Sequence, residues 1–227
     1  MAVKNYTLSP SDFAFLWEEC KRCFYLKIVE GFKRPGGPFP RIFGVIDSEM
    51  RNHFMDGGTA RMTPDLPPGK VVYGEKWVQS VPIALDGHHI TCTIRGKFDT
   101  VVQFEDGSYG VIDFKTSAIK PTQKRLYSRQ LRAYAYALEH PAPGKLGLSP
   151  ISRMGLLAFT PDTFTTQDAR SATLSGGLHW YEIKRNDDSF FAFLDEVMSV
   201  LELPEPPDPD PNCQWCQYRE QSRQNGL

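Results

Sequence analysis

The 227-residue chain has no run of about 18 apolar residues, the length a membrane-crossing helix needs, and its opening stretch carries no apolar signal segment. Those absences argue against a spanning or exported protein and lead to the expectation of a cytoplasmic one. An excess of charge of either sign is also missing. The 26 Lys and Arg stand against 27 Asp and Glu, a net charge of −1, which excludes the broad basic footprint of a strong autonomous nucleic-acid binder. Any nucleic-acid contact is then local, or helped by a partner. There is no internal repeat and no long low-complexity tract. A hydrophobic fraction of 41% suffices for a core, and the length fits one domain with at most a small appended element.

The informative stretch begins at Gly96-Lys97-Phe98-Asp99. Residues 94 to 104 alternate: Ile94, Phe98, Thr100, Val102 and Phe104 lie on one side, and Lys97, Asp99 and Gln103 on the other, as in a half-buried strand. Tyr109 to Thr116 continues the pattern after Glu105-Asp106-Gly107. A two-residue turn would pair Phe98 with Lys115 and Thr100 with Asp113, mixing apolar with charged. A three-residue loop with Gly107 in the left-handed region instead pairs Phe98 with Phe114, Thr100 with Ile112, and Asp99 with Asp113. One slip turns every side chain over, so the second register is the expected one. It sets two carboxylates across from each other with Lys115 on the same face. Such a pair repels unless a cation lies between, and the arrangement calls for a hard divalent ion bound through oxygen. Lys115 beside it suits the handling of an attacking water, which is the chemistry of phosphodiester cleavage. An acidic residue, any residue and a lysine recur by chance, so Asp-Phe-Lys alone carries little.

In chain order, Ser9-Pro10-Ser11-Asp12 reads as a helix start, with Ser9 as cap and Asp12 as its capping-box acid. Phe13, Leu16, Trp17, Cys20 and Phe24 follow at helical spacing. A loop from Arg34 to Pro38 leads to a helix over 42–55, on which Asp47 and His53 read as ordinary polar residues. Residues 56–70 read as loop, 71–85 as a strand carrying Glu75 and Trp77, and Asp86-Gly87 as a turn. Pro121 to His140 is predicted helical, with Tyr127, Leu131, Tyr134 and Leu138 as its buried stripe and Gln130 one turn before Tyr134. Core packing is an equal account of Tyr134. Lys120, Lys124, Arg125, Arg129 and Arg132 cluster there as a candidate phosphate-contacting surface, against the alternative of a solvated helix face. A strand over 151–159, a β-like segment over 179–183 and a helix over about 188–203 with Phe191, Leu194, Val197 and Leu201 inward complete the core.

The tail from Pro204 to Pro211 is proline-rich, and extended chain of that length reaches roughly 28 Å. It can therefore return Cys213 and Cys216 to Cys20 and Cys23. Four of the five cysteines form two Cys-x-x-Cys pairs, one near each end, and in a reducing compartment such pairs read as metal ligands. Zinc and an iron–sulfur cluster both suit four thiolates, and Cys92 needs no role.

Taken in order, Gly96-x-x-Asp99, Asp113-x-Lys115 and Gln130-x-x-x-Tyr134 resemble the motifs of the RecB-like, CRISPR-associated exonuclease-like branch of the PD-(D/E)XK nuclease superfamily. Leu8-Ser9-Pro10-Ser11 with Cys20 and Phe24-Tyr25-Leu26 resembles that branch's first helix, and Cys213-x-x-Cys216-x-Tyr218 its iron–sulfur signature. The resemblance implies an α/β, restriction-endonuclease-like core of about residues 40–203, a mixed sheet flanked by helices. Its N- and C-terminal segments, 9–27 and 212–222, would join at a four-cysteine site holding zinc or a [4Fe–4S] cluster. It implies Mg²⁺ or Mn²⁺ on Asp99, Asp113 and the Phe114 carbonyl, Lys115 serving the water, and Gln130 and Tyr134 positioning metal or strand. Two departures stand out. Asp47-Ser48 occupies the place of a metal-binding histidine, so Asp47 is a candidate oxygen ligand. Ser222 falls where the last cysteine is usual, and Cys23 is the replacement fourth ligand, which favours zinc.

The expected function is thus a metal-dependent DNA nuclease, an exonuclease by resemblance, acting on single-stranded or unwound DNA in repair, recombination or CRISPR-type processing beside a helicase or other nucleoprotein. The rivals are a catalytically inactive nuclease-fold module that binds DNA or docks a partner, and a small zinc-clamped interaction protein.

Overall fold

The computed structural model describes residues 3–37 and 40–226, so Pro38, at the end of the first predicted loop, lies outside the described residues. Eight strands form two hydrogen-bonded sets. The first holds β1 (Lys4–Leu8), β4 (Ile90–Phe98) and β3 (Lys76–Gln79), in that order. The second runs β2 (Gly69–Tyr73), β5 (Thr100–Phe104), β6 (Tyr109–Lys115), β7 (Ile151–Asp168) and β8 (Ser171–Glu182). β1 runs parallel to β4 and β6 parallel to β7, while the remaining pairs are antiparallel. The sets follow one another through a bend at Asp99, giving a curled mixed sheet flanked by helices.

The predicted long strand to Phe104 is thus two strands. Thr100 faces Ile112 as expected, and Gly107 closes the three-residue loop at φ 85°. Phe98, however, pairs with Lys76 of β3 and not with Phe114, because the chain leaves one set for the other at Asp99. Likewise the predicted strand over 71–85 breaks at Gly74-Glu75 into β2 and β3.

Helix α5 (Pro121–Glu139) opens with Pro121 in its first turn and the Gln123 Oε1 accepting from the Lys120 N–H at 2.8 Å. It covers one face of the sheet, packing Leu131, Tyr134 and Leu138 with Ile94, Val111 and Leu156. On the other face α4 (Arg41–Phe54) brings Met50 and Phe54 against Ile112 and Phe114. Helix α6 (Asp187–Leu201) starts where Asn186 accepts from the Ser189 N–H, and buries Phe190, Phe193, Leu194, Val197, Met198 and Leu201. Phe191, expected inward, is only partly covered.

The predicted first helix is three short ones: α1 (Pro10–Ala14), α2 (Leu16–Glu19) and α3 (Lys21–Val29). Asp12 does not cap. It accepts twice from the Lys27 ammonium at 2.6 Å, and an ion pair with good geometry outcompetes a lone cap bond. Three further elements escape the sequence patterns: β1, the long arm of β7 and β8 beyond Phe159, and α7 (Gln214–Gln224). Gly96 sits where α1 and α5 meet β4. A Cβ there would come within 2.7 Å of Pro10 Cδ and 3.0 Å of Tyr134 Cε1, so this close approach needs glycine. No helix among the described residues is long and apolar enough to cross a membrane.

Candidate active site and four-cysteine cluster

β6 is an inner strand between β5 and β7, and its odd residues point toward α5. Asp113, 4% exposed, therefore meets the helix, and Gln130 Nε2 donates to its Oδ1 at 3.2 Å. Lys115, two residues on, ion-pairs with Asp113 Oδ2, and its ammonium lies 4.8 Å from the Tyr127 ring centroid. Asp99 reaches the same place from the bend, where its Oδ2 accepts from the Phe114 N–H at 3.0 Å. The expected meeting of Asp99 with Asp113 is thus made through a bend and a backbone hydrogen bond, not through a continuous ladder. Tyr134 donates to the Lys97 carbonyl at 2.8 Å.

Burial, and then the Asp113 charge, pushes the Asp99 carboxyl up to about 7, while Lys115 and the Phe114 N–H pull the other way. Burial would lower the Lys115 ammonium, but Asp113 more than offsets it and holds it above the ordinary lysine range. Burial also raises the Tyr134 phenol, with Asp113 adding to it. Asp113 Oδ2 forms no regular hydrogen bond beside its lysine, and buried Gln130 Oε1 has no partner. An unpartnered oxygen, Gln130 Oε1, beside two carboxylates fits a hard cation. Asp47 is close enough to raise Asp99 further, yet its carboxylate is turned to Arg51. Arg51 continues to Glu75 at 3.4 Å, and Glu75 to Lys97 at 2.8 Å, a charged rim that the sequence patterns did not assemble. The one legible hint was that Lys97 shares the alternation of Asp99.

The predicted basic surface on α5 is broken up. Arg125 and Arg129 both turn to Glu18, Arg132 is 4% exposed and paired with Asp187 and Glu139, and Lys124 lies over the Tyr181 ring. Lys120 stays exposed at the helix start. Glu18 and Asp187 come from elements distant in sequence, so a local count of cations could not see them.

The four cysteines do converge. Cys20 and Cys213 are each the extended residue before a helix, α3 and α7, and Cys23 and Cys216 lie in the first turns. Both pairs thus straddle helix N-termini, whose N–H groups favour thiolates. The sulfurs lie 3.6 Å apart for Cys23 and Cys216, 3.7 Å for Cys23 and Cys213, and 3.8 Å for Cys20 and Cys216. All four are buried and free, and among the described residues they are the one group of Cys, His, Asp or Glu whose ligand atoms lie within 4.8 Å of one another. Burial raises the Cys20 thiol, but backbone groups at Asp210 and Cys23 and the neighbouring sulfurs outweigh it and bring it to about 7. Arg34, missed in the sequence, places Nη2 3.3 Å from Cys213 Sγ.

A family comparison places this curled mixed sheet, with its acid–x–lysine strand and acidic bend, in a class. Residues 67–221 match the PD-(D/E)XK nuclease superfamily, and the chain belongs to it. The chain is also similar to the solved structure of SSO0001, at 14% identity and a TM-score of 0.46, over 94% of this chain and 84% of that one. No curated protein matches it.

Proposed function

We propose that the protein is a metal-dependent deoxyribonuclease of the RecB-like branch, acting from an end on single-stranded or unwound DNA. The observation that carries this reading is the pairing of Asp113 with Lys115 beside Asp99, next to the unpartnered Gln130 Oε1, in a chain of the nuclease superfamily. Asp99, Asp113 and the Phe114 carbonyl would hold Mg²⁺ or Mn²⁺, with Asp47 as a further oxygen ligand once released from Arg51. The bound ion would supply Lewis acidity at the phosphoryl oxygen. Lys115 holds the attacking water and brings positive charge to the phosphate. Gln130 orients Asp113, and Tyr134 fixes the strand that ends at Asp99. Lys120 and Lys124 are the α5 cations left for the DNA backbone, with Arg125 and Arg129 joining only if they leave Glu18. We read the whole chain as one domain, with a helicase or other nucleoprotein partner in repair or CRISPR-type processing.

For the cysteines the reading is zinc. A tetrahedral ion with Zn–S of about 2.3 Å has sulfur–sulfur edges of about 3.8 Å. A four-iron cluster takes one cysteine per iron and so spreads its sulfurs around a cube. Three of the six sulfur–sulfur spacings are 3.6 to 3.8 Å and all lie within 4.8 Å, which suits the single ion.

A catalytically silent DNA-binding module is the second reading, favoured by the mutual ion pair of Lys115 and Asp113 and by Arg51 holding Asp47. The test is cleavage of linear and circular single-stranded DNA with Mn²⁺ or Mg²⁺. Cutting that falls by about 10²- to 10⁴-fold in Lys115→Ala supports the nuclease, and circular DNA left intact supports the need for an end. A folded, zinc-filled protein that cuts neither substrate refutes it in favour of the module.

A further inference from the structure

The β1–β4–β3 sheet has one face in the core and one in water. Tyr6, Leu8, Cys92, Ile94, Phe98 and Val78 go inward. On the other face the pairing sets Thr7 beside Thr93, Gln79 beside Arg95, and Trp77 beside Lys97. Trp77 is 61% exposed, an unusual position for the largest apolar side chain, and the Arg95 guanidinium lies 5.2 Å from its ring centroid. The face borders a cavity of about 680 Å³ whose lining includes Lys27, Lys33, Trp77, Arg95, Lys97 and Tyr134. Asp12 is the acid in that lining and is bound to Lys27, while Lys97 is paired with Glu75 at 2.8 Å, so Lys33 and Arg95 make the excess. In a chain of net charge −1 this leaves a local excess of cations around an exposed aromatic.

We propose that this face is the track for the single-stranded DNA substrate. Trp77 would stack an unpaired base, Arg95 and Lys33 would take phosphates, and Lys97 would join them on leaving Glu75. Position supports it: Lys97 lies two residues before Asp99, and its carbonyl holds Tyr134, so a strand on β4 runs straight to the candidate active site. Cations beside an exposed ring suit a single strand, because its bases offer free π-faces while those of a duplex are already stacked. The inference rests on the nuclease reading for where the strand leads, but the binding itself does not.

The experiment measures affinity of the full-length protein for a labelled mixed-sequence single-stranded 20-mer, and for the same sequence as duplex, over a salt series. No divalent metal is added, and a gel checks that the oligonucleotide stays whole. Trp77→Ala is expected to weaken single-strand binding by about 5- to 150-fold, with little effect on the duplex and an unchanged melting temperature. Trp77→Phe is expected to keep most of the affinity. Arg95→Ala and Lys97→Ala should each lower the salt slope by roughly 0.7. A folded Trp77→Ala protein that binds the single strand like the parent overturns the proposal, and so does an equal loss on the duplex. If Trp77 matters for binding but the protein never cuts with Mn²⁺, the nuclease reading falls and this one stands. Unaltered binding with normal cutting does the reverse.

Discussion

Strand pairing fixes Asp113 and a hydrogen bond from the Phe114 N–H fixes Asp99 before any ion arrives, and Lys115 already pairs with Asp113. Cys20 and Cys216 meet across 196 residues, and Arg34, shared with Glu19, sets a cation beside the Cys213 sulfur. On the proposed reading the first cluster is organised by the sheet and would receive a metal, whereas the second would rely on the metal to hold the chain. The same element, an ion on negative side chains, would then serve reactivity in one place and architecture in the other.

The sharpest way to break that contrast is Asp99→Asn. Activity with Mn²⁺ is expected to fall by about 10²- to 10⁴-fold, while metal-free protein becomes more stable at pH 8. The sign follows from a folded value of about 7 against the ordinary 3.8: the folded state binds the proton more tightly, so its stability falls as pH rises between the two values. The amide removes that loss. Melting temperatures at pH 5 and pH 8 check it, and a variant less stable than the parent at pH 8 would place Asp99 in a supporting role instead.

Cys216→Ala should do the opposite, with its main effect on stability. Closing a loop of this length contributes on the order of 5 kcal/mol, so a fall in melting temperature of about 10 °C or more is expected, with loss of bound zinc by elemental analysis. Colourless parent protein with stoichiometric zinc is part of the same expectation. A brown parent protein carrying iron would instead assign the cluster.

The smallest effect sharpens the comparison with a fastener that needs no metal. His88 bridges Asp195 at 2.9 Å and Glu202 at 2.8 Å, holding the end of α6 where the proline tail begins. Its hydrogen bond to Glu202 raises the ring above the usual 6.5. That support is full below pH 6.5 and is lost as pH rises through the folded value. Burial opposes the lowering of Glu202, but His88 prevails, so Glu202's share is lost on the acid side as pH falls. His88→Ala should cost about 1 kcal/mol near pH 6, with the two melting curves converging at alkaline pH.

Much of this was legible because it was local. The hairpin register followed from three loop residues and alternating side chains, and the α5 stripe from helical spacing. The cysteines were legible through their paired spacing and a tail long enough to return. Features set by distant partners were not. The first helix breaks at Cys20 because an extended residue there aims both sulfurs of the pair, a demand made by residues 213 and 216. The β7–β8 arm escaped because it is largely solvent-exposed, with Pro161 and a register shift interrupting its alternation. Trp77 was read simply as part of a strand, since its exposure depends on β3 lying at an edge. The α5 cations looked free because Glu18 and Asp187 come from other elements of the fold.

The sulfur junction also decides how the molecule bears tension. A pull on the C-terminus would uncoil α7 and then load Cys216 and Cys213, with the force passing through the metal to α3. The proline strut from Leu203 to Pro211 and helix α6 behind it would stay slack. With no ion there, the same pull would reach the strut, which α3 still holds through Arg22 on the Pro207 carbonyl at 2.9 Å and Tyr25 on the Leu203 carbonyl at 3.0 Å. Metal occupancy would therefore set whether an unfolding machine that grips this tail meets a latch or only two hydrogen bonds.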